Sequence, residues 1–120
     1  MLKTLWLKKT NRVSLRDYQE QLDAMLQDYE KPYWSPLSQL ARLTEETGEV
    51  ARILNHRFGD KPKKLTEEHE LLEDELADVI YSVLCIANSQ KISLDEPLKK
   101  AIAKLETRDA GRFAKKQISD

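Results

Sequence analysis

A chain of 120 residues in which 20 Lys and Arg nearly cancel 21 Asp and Glu is sized for one domain. It lacks the basic excess of a general nucleic-acid binder. A single cysteine, Cys85, excludes an internal disulfide, fits a reducing cytoplasmic setting and reads as a buried, inert thiol within an apolar run.

The opening "MLKTLWLKKT" lacks the long apolar core and small-residue cleavage site of a signal peptide. Its patch Leu5-Trp6-Leu7 is expected to pack on the body or on a partner subunit. No stretch approaches ~20 consecutive apolar residues, so no membrane span is expected.

The first helix is expected from Ser14, a capping residue with Asp17 three positions on. Leu15, Tyr18, Leu22, Met25, Leu26 and Tyr29 recur in steps of three and four and trace one stripe. The segment "KPYWSP" ends that helix and opens the next, with Ser35 as cap and Pro36 in the first helical position. On the second helix Leu37, Leu40, Thr44, Thr47, Ala51 and Leu54 share one side, with Leu43 and Val50 beside them. It should stop near Arg57, before a turn marked by Gly59 and Pro62.

A third helix is expected from Thr66, with Glu67 and Glu68 suited to the positive end of its dipole. From Leu76 to Ala87 it is apolar almost all round, the pattern of a central helix. The fourth opens on Ser93-Leu94-Asp95-Glu96, a capping-box pattern, with Pro97 inside the first turn. Its stripe is Leu94, Leu98, Ala101, Ile102 and Leu105, and the pattern fades after Arg108. No alternating strand pattern competes. The expectation is an all-α four-helix bundle, one domain over 1–120, with a helical core at 14–108 and terminal segments 1–13 and 109–120.

Within "LTEETGEV" sit Glu45, Glu46 and Glu49, and within "LEDELADVIYSVLCIAN" sit Glu75 and Asp78. Residues three apart on a helix differ by about 60° in direction, so Glu46/Glu49 and Glu75/Asp78 form two neighbouring pairs. Helices joined by one short loop are usually antiparallel neighbours, which lets the pairs face each other. Four converging carboxylates repel and lose hydration, and a divalent cation is the natural remedy. Oxygen-only ligands favour Mg²⁺ or Mn²⁺ over zinc. Acids at this spacing often just face water. Asp78, between Ala77 and Val79 in the most apolar helix, argues against that for the set, because an unpaired charge there is costly. A di-iron site needs Glu-x-x-His, but Ile53 precedes His56 by three and Thr66 precedes His69. His69 reads as an exposed first-turn residue. His56 reads as a cation at a helix C-terminus, with a substrate contact as its alternative.

The arrangement Glu45-Glu46-x-x-Glu49 followed by Glu75-x-x-Asp78 resembles the signature of MazG-type nucleotide pyrophosphohydrolases, in the all-α NTP pyrophosphatase superfamily. The flanks "SPLSQLARLTEETGEVARILNHRFGDKPKK" and "LEDELADVIYSVLCIANSQKISLDEPLKKAIAKLETRDAGRF" resemble small stand-alone bacterial members. The resemblance runs from about residue 14 to 113. It implies Mg²⁺-dependent hydrolysis of a (d)NTP to the monophosphate and diphosphate, in nucleotide house-cleaning. It implies Glu46, Glu49, Glu75 and Asp78 as metal ligands and Glu45 for a second metal or for activating water. It also implies a homodimer or homotetramer in which a site can borrow residues from a neighbour.

Hydrolysis of a phosphoanhydride needs cations for its developing charge. Lys61, Lys63 and Lys64 between the acid helices, and Arg108 and Arg112 beyond the fourth, are the candidates. For the base, Trp34 could stack, Tyr81 lies one turn after Asp78, and the Asn88 amide could read a base or ribose or cap its helix. The competing reading is a non-catalytic helical interaction module that binds metal structurally. Stabilisation by nucleotide only when metal is present separates the enzyme from that module.

Overall fold

The computed structural model describes residues 12–66 and 70–117. The expectations for Leu5-Trp6-Leu7, Glu67, Glu68 and His69 fall outside them. The described residues hold four helices and no strand: α1 (Leu15–Leu26), α2 (Pro36–Phe58), α3 (Leu72–Ser89) and α4 (Asp95–Asp109). No helix among them is long and apolar enough to cross a membrane.

Local chemistry sets most helix ends. At α1 the Ser14 N–H donates to the Asp17 carboxylate at 2.9 Å and the Asp17 N–H returns to Ser14 Oγ at 3.1 Å, a reciprocal capping box. At α2 the Ser35 hydroxyl accepts from the Ser38 N–H, with Pro36 in the first turn. The end of α3 is a Schellman closure. Lys91 N–H reaches the Asn88 carbonyl at 3.1 Å and Ile92 N–H the Ala87 carbonyl at 2.9 Å, with Lys91 in the left-handed region at φ 60°.

Two expected starts differ. α3 begins at Leu72, and Thr66 lies in a turn. The capping box expected at Ser93 does not form: α4 starts after Leu94 with no side-chain cap. Asp95 instead accepts a hydrogen bond from the Leu15 N–H at 3.0 Å. The carboxylate next to the Glu96 that the pattern assigned to the cap thus takes a tertiary partner.

The chain divides into two compact units: residues 19–92, and the segments to either side of them. The central unit rests on the packing of α2 against α3. These run antiparallel: Gln39 meets Cys85 and Ser89, Glu46 meets Asp78, and Arg52 meets Glu70 just before α3. The face of α2 turned inward is Gln39, Leu43, Glu46, Val50 and Ile53, all buried or half-buried. The other stripe, Leu37, Leu40, Thr44, Thr47, Ala51 and Leu54, is exposed throughout, Leu37 by 80% and the following Phe58 by 83%. α3 buries Ser82, Leu84, Cys85 and Ala87 but leaves Leu76 and Ile80 about half exposed, so one chain does not cover it all round. α1 contributes Gln19 and Leu22; its Tyr18 and Met25, and Tyr29 beyond its end, remain exposed.

Candidate active site

Because Glu46 lies on the inward stripe of α2 and α3 runs antiparallel to it, acids from both helices meet. One carboxylate oxygen each from Glu46, Glu75 and Asp78 lie within 4.8 Å of one another. Glu49, Glu70 and Glu75 form a second such group. Glu75 belongs to both, so the two groups share a ligand-bearing side chain. The set is all carboxylate oxygen, the donor type of Mg²⁺ or Mn²⁺, and its spacing fits a divalent cation.

The electrostatics agree. Loss of hydration pushes the Glu46 carboxyl above its usual range, and the charges of Asp78 and Glu49 push it further; Arg42 pulls back. Glu75 is raised first by desolvation and then by Glu70, Asp78, Glu49 and Glu46. Repulsion within the Glu49 group is partly offset by Arg52, which pairs with Glu49 and donates to both Glu70 oxygens at 2.7 and 2.9 Å. Glu45 is exposed and belongs to neither group.

Beside the acids is a cleft of about 310 Å³ lined by Met25, Tyr29, Tyr33, Trp34, Arg42 and Tyr81, with Cys85 at its buried side. Trp34 is half exposed, and the Arg42 guanidinium carbon sits 3.6 Å from its ring centre and 5.7 Å from that of Tyr81. Burial raises the Tyr81 phenol, and its hydrogen bond to Cys85 adds to this. Burial also raises the Cys85 thiol, which suits an inert core residue. His56 is half-buried in the last turn of α2.

Asn88 is tied into the packing. Its Nδ2 donates to the Gln19 carbonyl at 3.0 Å and to Tyr33 Oη at 3.1 Å, and its Oδ1 accepts from Gln19 Nε2 at 2.9 Å. Both of its N–H donors are therefore engaged within the chain. Lys61, Lys63 and Lys64 are exposed on the loop after α2. Arg108 donates to Asp109 at 3.1 and 3.4 Å, and Arg112 lies 3.9 Å from the same carboxylate.

Sequence reasoning missed Glu70, Arg52 and Arg42. Arg52 follows Glu49 by three and Arg42 precedes Glu46 by four, spacings that put each on the acid face. Glu70 had no such signal, since the helix was expected to begin before it.

Residues 34–113 match the MazG nucleotide pyrophosphohydrolase domain. The chain is 43% identical over 104 residues to the uncharacterized protein YpjD of Bacillus subtilis (strain 168), spanning 87% of this chain and 94% of that one. The crystal structure of YPJD from Bacillus subtilis is similar with a TM-score of 0.69 at 42% identity, over 79% of this chain and 97% of that one. The Bacillus-conserved MazG protein, a nucleotide pyrophosphohydrolase, gives 0.68 at 36% identity, over 86% and 100%.

Proposed function

The chain belongs to the MazG nucleotide pyrophosphohydrolase family, a hydrolase acting on phosphoanhydride bonds, and from that premise we infer that it converts a (d)NTP to the (d)NMP and diphosphate with Mg²⁺. The observation that carries this reading is the convergence of Glu46, Glu75 and Asp78 within 4.8 Å. Glu46, Glu49, Glu75 and Asp78 would hold the cation, with Mn²⁺ as a substitute. When bound it supplies positive charge to the phosphate oxygens and polarises water. Glu45, exposed beside Glu46, would serve a second cation or orient the attacking water. The open aromatic cleft next to the acids suits a flat base, with Trp34 and Tyr81 as its walls. Asn88 would hold the wall that Tyr33 forms. Lys61, Lys63, Lys64, Arg108 and Arg112 would meet phosphate. The role is clearance of unwanted nucleotides in the cytoplasm.

A homodimer or homotetramer is part of the same reading. The exposed stripe of α2 is apolar at Leu37, Leu40, Leu54 and Phe58, more than a single chain has reason to leave in water. Gly48, in mid-helix, has nothing within 4 Å of where a Cβ would stand. No contact among the described residues accounts for it, and close approach of a second copy would.

The test is pyrophosphate release from a panel of NTPs and dNTPs with Mg²⁺, comparing the native protein with Glu49→Gln and Asp78→Asn. Turnover of some nucleotides, lost in both variants with the helical content intact, supports the reading. Full activity in both variants would overturn the assignment of the acids, and no release from any nucleotide would overturn the substrate class.

A further inference from the structure

Two arginines of α2 flank the acids, and they are used differently. Arg52 pairs with Glu49 and Glu70. Arg42 has no carboxylate within 4.0 Å among the described residues. Its guanidinium lies over Trp34, 3.6 Å from the ring centre, with the Tyr81 ring centre at 5.7 Å and the Tyr81 hydroxyl as a hydrogen-bond partner that it must also leave. It is nevertheless one helical turn before Glu46, and its charge is felt by Glu46 on one side and by Tyr81 on the other. Arg42 therefore stands between the acids and the aromatic cleft.

A guanidinium is planar, and on an indole face it occupies the same slot as a stacked base. The contact is weak at a half-exposed ring such as that of Trp34. The guanidinium fork also matches phosphate oxygens in a bidentate way, a stronger interaction than stacking in an open cleft. Resting on the proposed nucleotide hydrolysis, we propose that Arg42 exchanges partners when substrate binds: the base replaces it on Trp34, and the freed guanidinium takes the triphosphate held at the acids.

This exchange makes one residue a reader of the whole nucleotide. A nucleoside must displace Arg42 without offering it a phosphate. Inorganic triphosphate draws Arg42 away but leaves the Trp34 face bare. Only a ligand with both ends satisfies both groups, because a ligand shifts an equilibrium only by its differential affinity for the two states. Arg42 is then a specificity-determining, substrate-binding residue that links base recognition to phosphate recognition.

The chain has two tryptophans, Trp6 and Trp34, so a Trp6→Phe background leaves Trp34 as the reporter. Its fluorescence is titrated with a nucleoside and with the matching α,β-methylene triphosphate in Mg²⁺, using the base that gives the best pyrophosphate release. Arg42→Met keeps an unbranched apolar stem without the charge, and far-UV circular dichroism checks its fold. The expected result is that Arg42→Met binds the nucleoside as well as or better than the parent. The affinity advantage of triphosphate over nucleoside should shrink at least about tenfold, with Arg42→Lys intermediate. An unchanged advantage in Arg42→Met, with the parent still releasing pyrophosphate, would overturn the exchange alone. A parent that neither binds the analogue nor releases pyrophosphate would overturn the underlying activity as well.

Discussion

One guanidinium nitrogen of Arg52 donates to both carboxylate oxygens of Glu70, at 2.7 and 2.9 Å, while also pairing with Glu49. A cation is thus already seated at the edge of the acid cluster, placed there by the chain itself. It pairs with Glu49 and Glu70, two of the carboxylates whose charges raise Glu75.

Arg52→Met is therefore expected to lower the melting temperature in the absence of divalent cations. The pair is about one-third exposed, so the loss should be small. The melting temperature of the variant should rise more on adding Mg²⁺ than that of the native protein, because the acids then lack their internal counter-ion. Equal Mg²⁺ responses in the two proteins, followed by calorimetry, would show that Arg52 does not compensate the cluster.

Lys91 closes α3 in the left-handed region at φ 60°, where a Cβ is unfavourable. Lys91→Gly keeps both closing hydrogen bonds and should stabilise the protein by about 1 kcal/mol. Urea unfolding measures this directly, and a loss of stability would mean that the Lys91 side chain contributes more than its backbone strain removes.

Tyr33 donates a hydrogen bond to Asp23 and sits in a partly buried position; burial first, then that bond, pushes its phenol up to about 12 from 10.0. Below the unfolded value both states keep the proton. Between the two values only the folded chain keeps it, so the unfolded state sheds protons first and stability falls as pH rises through that window. Tyr33→Phe should lose less melting temperature than the native protein between about pH 10 and pH 12. Parallel curves would place the proton elsewhere.

Leu40 and Leu54 lie on the exposed stripe of α2. If a second copy covers that stripe, Leu40→Lys with Leu54→Lys should dissociate the assembly to monomers in sedimentation velocity. A native protein that already sediments as a monomer would contradict the oligomer reading.

The local signals were the legible ones. Ser14 with Asp17, and Ser35 with Pro36, each act within one turn, and both start their helices as their chemistry requires. The spacing of Glu46, Glu75 and Asp78 likewise follows from helix geometry, and the three converge. What stayed hidden depends on tertiary partners. Ser93 and Glu96 looked like a cap that does not form, and Asp95 between them accepts from Leu15. α2 carries apolar residues on two sides, so periodicity alone did not say that Leu43, Val50 and Ile53 face α3 while Leu37 and Leu40 face outward. Glu70 lies in a connection whose path no pattern dictates. Asn88 could have pointed to substrate, and only the packing of α1 and Tyr33 shows what occupies it.

Gln39 is 4% exposed, donates to the Cys85 carbonyl at 3.3 Å, and accepts from the Ser89 hydroxyl at 3.0 Å. Apolar side chains would let α2 slide along α3 by a turn with modest penalty, and the acids, which repel, would favour any slide that parts them. A buried amide does not permit it: moved by one turn it would lose its partners, at about 1–3 kcal/mol. The alignment that confronts Glu46 with Asp78 is thus indexed by a neutral side chain about two turns away. Carboxylates that oppose their own juxtaposition are held to it by a neutral amide that lies outside their cluster.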